Sequence, residues 1–341
     1  MSQPTPRPHR DTAIPVTSGV FVGRRGEMAQ LEATLAEALS GQGRIVMLAG
    51  EPGIGKTRTA QELTALAEAG GAIVLWGRCY EEEGAPPYWP WVQLIRDYVR
   101  RCDYGQLSSE MGFGATNIAD LVPEVHDKIP NLKPALDLEP EAARFRLFDS
   151  ITTFLKNAAQ SRPIVLVLDD LHWADKPSLL LLQFLARELA PVQSGRLLVV
   201  GCYRDMELSR QHPLSEALAQ LSRAAEGGFQ RVLLRGLEQE DAAQLIKASA
   251  GIEPTTHLVD AMYSHTEGNP FFMTEVIKLL SESGESFDGY ADTSEGLRIP
   301  EGVREVIGQR LNRLSERCNE VLTTASITGR EFDFRLLSNL T

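Results

Sequence analysis

Five short apolar runs, separated by longer stretches in which apolar positions recur at helical spacing, set the organisation of this chain. The runs are RIVMLAG (Arg44–Gly50), AIVLW (Ala72–Trp76), PIVLVLDD (Pro163–Asp170), RLLVVGCYR (Arg196–Arg204) and RVLLRGL (Arg231–Leu237). None alternates apolar with polar residues as a strand with one wet face does. Each therefore predicts a strand buried on both sides, the signature of a parallel sheet. Between the runs, Met28, Leu31, Leu35 and Leu39 fall on one helical face, and a second helix is expected over Lys56–Ala69. The fold class is α/β, a parallel sheet covered by helices over residues 19–237.

After Leu237 the pattern turns helical. Amphipathic stretches at Gln239–Ala250, Thr255–Ser264 and Pro270–Glu282 predict a helical lid over 238–283. Residues 284–299, rich in Gly, Ser and Asp, read as a flexible connector. Helices expected over Glu301–Leu314 and Cys318–Thr328 open a further domain at 300–341, whose apolar pattern breaks off early, as in a fragment of a longer protein. Residues 1–18 carry Pro4, Pro6, Pro8 and Pro15 around no apolar segment and read as a disordered leader, not a signal peptide.

Charge narrows the function classes. Lys and Arg total 34 against 46 Asp and Glu, a net charge of −12. That balance weighs against a chain that works by neutralising nucleic-acid phosphates, although a local basic patch stays open. The most apolar helical stretch, Leu179–Ala190, is short and interrupted by Gln183, Arg187 and Glu188, so no membrane span is expected. Four distant cysteines (Cys79, Cys102, Cys202, Cys318) form no CxxC pair. They suggest small buried hydrophobes in a reducing, cytoplasmic setting.

The chemistry is concentrated in GEPGIGKT (Gly50–Thr57), which follows a strand, opens a helix and matches GxxxxGK[ST]. Gly50, Gly53 and Gly55 let the backbone curl so that successive N–H groups face one concavity, with Glu51, Pro52 and Ile54 completing the loop. The helix N-terminus adds partial positive charge over Lys56, Thr57 and Arg58. In this pattern Lys56 reaches the β- and γ-phosphates of ATP or ADP and Thr57 is a Mg²⁺ ligand. LVLDD places Asp169 and Asp170 at a strand's C-terminal end, where ligands of open α/β sheets collect. Asp169 is expected to hold Mg²⁺ and Asp170 to orient or deprotonate the attacking water. Arg204, after the fourth strand, is placed to sense the γ-phosphate or to pair with Asp205. Along the chain Ala72–Trp76 intervenes between the loop and the Asp pair, which marks the additional-strand class of P-loop ATPases.

Taken in order, FVGRRGEM, GEPGIGKT, VLVLDDLHWAD, GCYRD and TEGNPFF resemble a STAND ATPase, a signal-transduction ATPase with numerous domains. The nearest subgroup is the bacterial one found in large LuxR-type transcriptional regulators. The resemblance, from about Val20 onward, implies a nucleotide-binding α/β domain, a helical lid and a winged-helix domain. It implies that the backbone of Phe21 and Val22, with Gly23 and Arg24, meets adenine, that Pro270 packs on the base or ribose, and that Arg204 is the sensor-1 arginine. The winged-helix histidine that in some relatives meets the ADP β-phosphate has no counterpart here. The resemblance further implies a slow ATP-hydrolysing switch that self-associates when ATP-bound and answers to an inducer or partner protein. It would reach DNA only through a domain outside this chain, with no membrane involved.

The remaining features are read conservatively. His172 and Trp173 are expected to pack under the sheet's rim, the tryptophans of Glu81–Trp91 against their own domain, and His265 structurally. Arg187 reads as an exposed helix position in preference to a finger reaching into a neighbouring subunit. Two rival classes stay open: a DNA-acting initiator or loader ATPase, revealed by DNA-stimulated hydrolysis, and a scaffold that keeps nucleotide without turnover, revealed by the absence of ADP. Between the phosphate loop and the Asp pair there is no LSGGQ-like signature, so a transporter ATPase is disfavoured.

Overall fold

All five apolar runs are strands of one parallel sheet: β1 Arg44–Ala49, β2 Ile73–Arg78, β3 Ile164–Asp169, β4 Leu197–Tyr203 and β5 Phe229–Leu233. They are seen in a computed structural model that describes residues 20–81, 85–134, 138–189, 195–209, 211–224, 227–283, 308, 311 and 314–328. The expected leader at 1–18, the connector at 284–299 and most of the Glu301–Leu314 helix lie outside the described residues. The chain divides into two compact units between Arg235 and Gly236.

The first unit holds the sheet, in the order β2-β3-β4-β1-β5. Along the chain it is β2 that intervenes between the phosphate loop and the Asp pair. In space the strand lying between β1 and β3 is β4, while among the described residues β2 sits at the edge and pairs with β3 alone. The additional-strand class holds, and the strand that does the separating comes later in the sequence.

Over β1, β3 and β4 both sheet faces are dry, because consecutive side chains point to opposite sides and both sets are apolar. The expected burial on both sides fails at β5, an edge strand among the described residues, where Val232 alone is buried and Arg231 and Leu233 are exposed. On one face lie Ile45, Met47, Leu166, Leu168, Val199 and Tyr203, packed with side chains of α3 (Trp89–Arg101), α7 (Pro140–Ser161), α8 (Lys176–Leu189) and α9 (Pro213–Ala224). On the other lie Val46, Leu48, Val165, Val167, Val200 and Cys202, covered by α1 (Arg25–Leu39) and α2 (Lys56–Ala69). Each such fully buried side chain contributes about 1.5–3 kcal/mol of transfer free energy. Short helices α4 (Tyr104–Met111), α5 (Ala115–Leu121) and α6 (Glu124–Lys128) extend the first of these cores. Cys79, Cys102 and Cys202 are buried free thiols, and Cys318 is a half-exposed one.

Two local devices fix what surrounds the sheet's C-terminal rim. Asp175 caps α8, accepting from the Ser178 amide at 2.9 Å and the Ser178 hydroxyl at 2.6 Å. Trp91, 1% exposed, donates its indole N–H to the Ser178 carbonyl at 3.1 Å, so the Glu81–Trp91 segment ends anchored in the core. Trp89 is partly buried, with the Arg96 guanidinium 5.5 Å from its ring centre.

The second unit contains α10 (Gln239–Ala250), α11 (Thr256–Thr266), α12 (Pro270–Ser283) and a helix at Glu316–Thr328. Thr255 caps α11 by accepting from the Leu258 amide at 3.3 Å. Asn269 Oδ1 accepts from Phe271 N at 3.1 Å, with Pro270 as the first residue of α12, where its missing N–H is harmless.

The backbones of β2 and α3 approach closely at Gly77, where an added Cβ would overlap the Pro90 carbonyl. Because the obstruction is main chain, Gly77→Ala is expected to lower unfolding free energy by about 1–3 kcal/mol. Chemical denaturation of both proteins measures it, and equal midpoints would mean that the corner yields freely.

Candidate functional site

The phosphate loop is a strand-to-helix turn that only its glycines can make. Gly50, Gly53 and Gly55 take φ of 152°, 78° and 102°, which residues with a Cβ rarely adopt. At Gly50 a Cβ would also lie 2.7 Å from the Leu234 carbonyl oxygen. Gly55 precedes α2 without a side chain to cap it, so the first-turn amides of Lys56 and Thr57 are left for an anion. Lys56 is buried and donates to the loop's own carbonyls, Gly50 O at 2.9 Å and Glu51 O at 2.8 Å. Burial pulls its pKa down from the ordinary lysine value, with Arg204 acting in the same direction and Asp170 and Asp169 against it.

Asp169 closes β3 opposite this loop and is 1% exposed. The Thr57 hydroxyl lies 3.1 Å from its Oδ2 and 3.2 Å from its Oδ1, and the Asp170 amide donates to Oδ1 at 3.1 Å. Nη2 of Arg78, at the end of β2, lies 3.0 Å from Oδ2. A hydroxyl and a carboxylate side by side fit the one or two protein oxygens that Mg²⁺ takes beside nucleotide phosphates.

Asp170 comes next with φ 57°, a left-handed conformation that turns the chain into the short helical turn Leu171–Trp173. Its carboxyl pKa is pushed up to about 6, first by burial and then by the neighbouring Asp169 charge, with Arg78, Arg204 and Lys56 opposing. His172 is buried, as expected, with its ring 4.4 Å from that of Trp173. Among the described residues neither ring nitrogen finds a hydrogen-bond partner, and Nε2 stands 3.7 Å from Glu207 and 4.0 Å from Asp170. Burial and the Arg204 charge hold its pKa down at about 3, so the imidazole is neutral. Arg204 lies 4.8 Å from the Trp173 ring centre and pairs with Glu207 at 2.7 Å; its carboxylate partner is Glu207, where the sequence offered Asp205.

The structure thus gathers Lys56, Thr57, Asp169, Asp170 and Arg204 at the C-terminal ends of β1, β3 and β4. Arg24 acts behind the loop: in left-handed conformation (φ 63°) and buried, it donates to the Ile54 carbonyl at 2.9 Å and pairs with Glu27 at 3.1 Å. It braces the phosphate loop from the α1 side. Phe21 packs against the core beneath α1 and α2, Val22 and Gly23 are partly buried beside it, and Arg58 on α2 pairs with Glu62 at 2.5 Å. Pro270 belongs to the second unit. Arg78 belongs to none of the sequence motifs and lies two residues past the run Ala72–Trp76, so no local signal singles it out. Glu207 carries no such signal either. A groove of about 540 Å³ between α7, α8 and α9, lined by Phe145, Phe184 and Arg187 among others, shares no residue with this site.

A family model described as AAA ATPase domain matches residues 20–200. An uncharacterized protein of Rhizobium meliloti (strain 1021) is 25% identical over 94% of this chain, which spans 31% of that relative's length. Among solved structures, the Walker-type ATPase PABY2304 of Pyrococcus abyssi superposes with a TM-score of 0.54 at 15% identity, covering 94% of this chain and 88% of its own.

The raised Asp170 pKa carries a stability consequence with a definite sign. Between the ordinary carboxyl value of 3.8 and about 6, the folded chain holds a proton that the unfolded chain has released. Stability therefore falls as pH rises through that window. Asp170→Asn removes the penalty and is expected to stabilise the nucleotide-free protein by about 1–2 kcal/mol near pH 7, with no gain below about pH 4. Denaturant midpoints across pH test this; a gain independent of pH would refute it.

Proposed function

The chain belongs to the AAA ATPase domain family, and we propose that it works as a nucleotide-operated switch of the STAND class that hydrolyses ATP slowly. Membership implies nucleotide binding, usually with Mg²⁺. The observation that carries the finer reading is the convergence of Lys56, Thr57, Asp169 and Asp170 on one rim, with Arg204 held beside them by Glu207 and Trp173.

In this reading the loop amides and Lys56 take the β- and γ-phosphates, and Lys56 gives up its two carbonyl partners to do so. Thr57 and Asp169 hold Mg²⁺, which supplies neutralisation of the phosphate charge. Asp170 orients the attacking water. Its raised pKa leaves it largely ionised near neutrality and close enough to titration to accept a proton. Arg204 senses the γ-phosphate by exchanging Glu207 for it, and this exchange distinguishes ATP from ADP. A ligand moves a conformational equilibrium only through such differential contacts. Phe21, Val22 and Gly23 are assigned to the adenine and ribose, as the family pattern has it, and Arg24 to bracing the loop.

The output would be self-association in the ATP state and control of further domains, as in a larger transcriptional regulator. The relative that extends far past the matched region is in keeping with such a layout.

Two substitutions separate binding from turnover. Lys56→Ala is expected to lose nucleotide binding, a fall in affinity of at least about a hundredfold. Asp170→Asn is expected to keep affinity within about threefold while kcat drops about a hundredfold or more. Calorimetry with ATP and a phosphate-release assay read both, and unchanged affinity in Lys56→Ala would defeat the assignment.

A further inference from the structure

The carboxylates at the end of β3 already have a full positive charge beside them, supplied by a residue outside the phosphate-loop and Asp-pair motifs. Arg78 closes β2 in register with Asp169. Its Nη2 lies 3.0 Å from Asp169 Oδ2 and its Nε 3.7 Å from Asp170 Oδ2. Its backbone is held on the outer edge of the sheet by Gln93 of α3, which donates to the Arg78 carbonyl at 2.9 Å and accepts from the Arg78 amide at 3.3 Å. The next amide, Cys79 N, donates to the Asp169 carbonyl at 3.0 Å, and Gly77 lies flat against Pro90. The guanidinium is thus aimed from a fixed base. Among the described residues the Asp169 carboxylate accepts from the Thr57 hydroxyl, the Asp170 amide, the Cys202 thiol and Arg78, and of these Arg78 alone is charged. Lys56 directs its hydrogen bonds to Gly50 and Glu51 instead.

We propose that Arg78 is a specificity-determining residue for metal: a resident cation that competes with Mg²⁺ for Asp169, so that the metal enters only together with nucleotide phosphates. The inference rests on the reading of Thr57 and Asp169 as the metal-holding pair and deepens it. The two sides of the exchange differ in mobility. Asp169 is buried and cannot be left without a positive partner, whereas the Arg78 side chain is 47% exposed and can swing its head into water. Arginine does not shed its charge at any working pH, so the competition is permanent. Free Mg²⁺ would have to displace a charge-assisted hydrogen bond and give up tightly held water for one carboxylate and one hydroxyl. Nucleotide phosphates tip the balance, because they add negative charge that a single guanidinium does not neutralise. The edge position of β2 matters here, since a strand buried on both edges would leave the displaced side chain nowhere to go.

The test uses the full chain with Arg78→Gln, Arg78→Lys and Gln93→Ala beside the wild type. Mg²⁺ alone, without nucleotide, is expected to leave the wild-type melting temperature unchanged and to raise that of Arg78→Gln. The Mg²⁺ concentration that half-maximally tightens ADP binding, read by calorimetry, is expected to fall about tenfold in Arg78→Gln and to stay near wild type in Arg78→Lys. Gln93→Ala, which loosens Arg78 without removing it, should shift the same midpoint downward by about two- to threefold, and it decides the matter if Arg78→Gln does not fold. A midpoint that stays put in whichever of these variants folds, with ADP still binding, would overturn the role of Arg78 and leave the proposed function standing. Wild-type protein that takes up no ADP at all would instead defeat the proposed function.

Discussion

A carboxylate cannot be buried alone, and most of what is specific about this site comes from how Asp169 is satisfied. At 1% exposure its charge would be prohibitively costly without donors on several sides. Those donors come from separate places in the sequence: Thr57 on the helix after β1, the amide of Asp170, the Cys202 thiol of β4, and Arg78 at the end of β2. They meet only because the sheet carries the C-terminal ends of β1, β2, β3 and β4 to one rim. The parallel sheet thus delivers Asp169's partners to it, and its dry faces, apolar on both sides, hold that rim in place.

The strand order adds a second constraint. With β4 between β1 and β3, the Asp pair is set one strand away from the phosphate loop, and Arg204 emerges from that intervening strand. Arg204 therefore lies near Asp170 by topology, and Glu207 and Trp173 fix its direction. The left-handed turn at Asp170 brings His172 and Trp173 back under the same rim. A polar cluster in such a place needs neutral fillers as well as charges. The uncharged His172 fills the space between Asp170 and Glu207 without adding a further cation to Lys56, Arg78 and Arg204.

The legible part of this arrangement is local. Uninterrupted apolar runs announce five strands, and a glycine loop between a strand and a helix announces the phosphate cradle, because both signals lie within a dozen residues of chain. Which strand neighbours which is not legible in the same way. β2 precedes the Asp pair in sequence yet lies at the edge, since pairing depends on crossovers whose spatial order no local pattern encodes. Arg78 escapes a local reading for the same reason. An arginine two residues past an apolar run is an ordinary strand terminus until the register places it opposite Asp169. Arg24, expected within an adenine-contacting signature, has a side chain committed to the Ile54 carbonyl, a contact spanning 30 positions that spacing cannot reveal.

Each cation of the rim is already engaged with an internal partner. Lys56 holds two loop carbonyls, Arg204 holds Glu207, and Arg78 holds Asp169. A triphosphate arriving here would form few interactions from nothing; it would exchange existing ones, and its affinity would be the difference between the two sets. Such a site is preorganised in charge but not in partner. In the proposed reading, every phosphate gained or lost would release or recapture one of these side chains. The γ-phosphate would act on Arg204 and thereby on Glu207, while Mg²⁺ would act on Arg78 and, through the backbone that Gln93 grips, on the first turns of α3. On the same reading, hydrolysis would be read out through partner exchange at two places on the rim, the edge strand β2 and the central strand β4, and this is what would make the domain a switch.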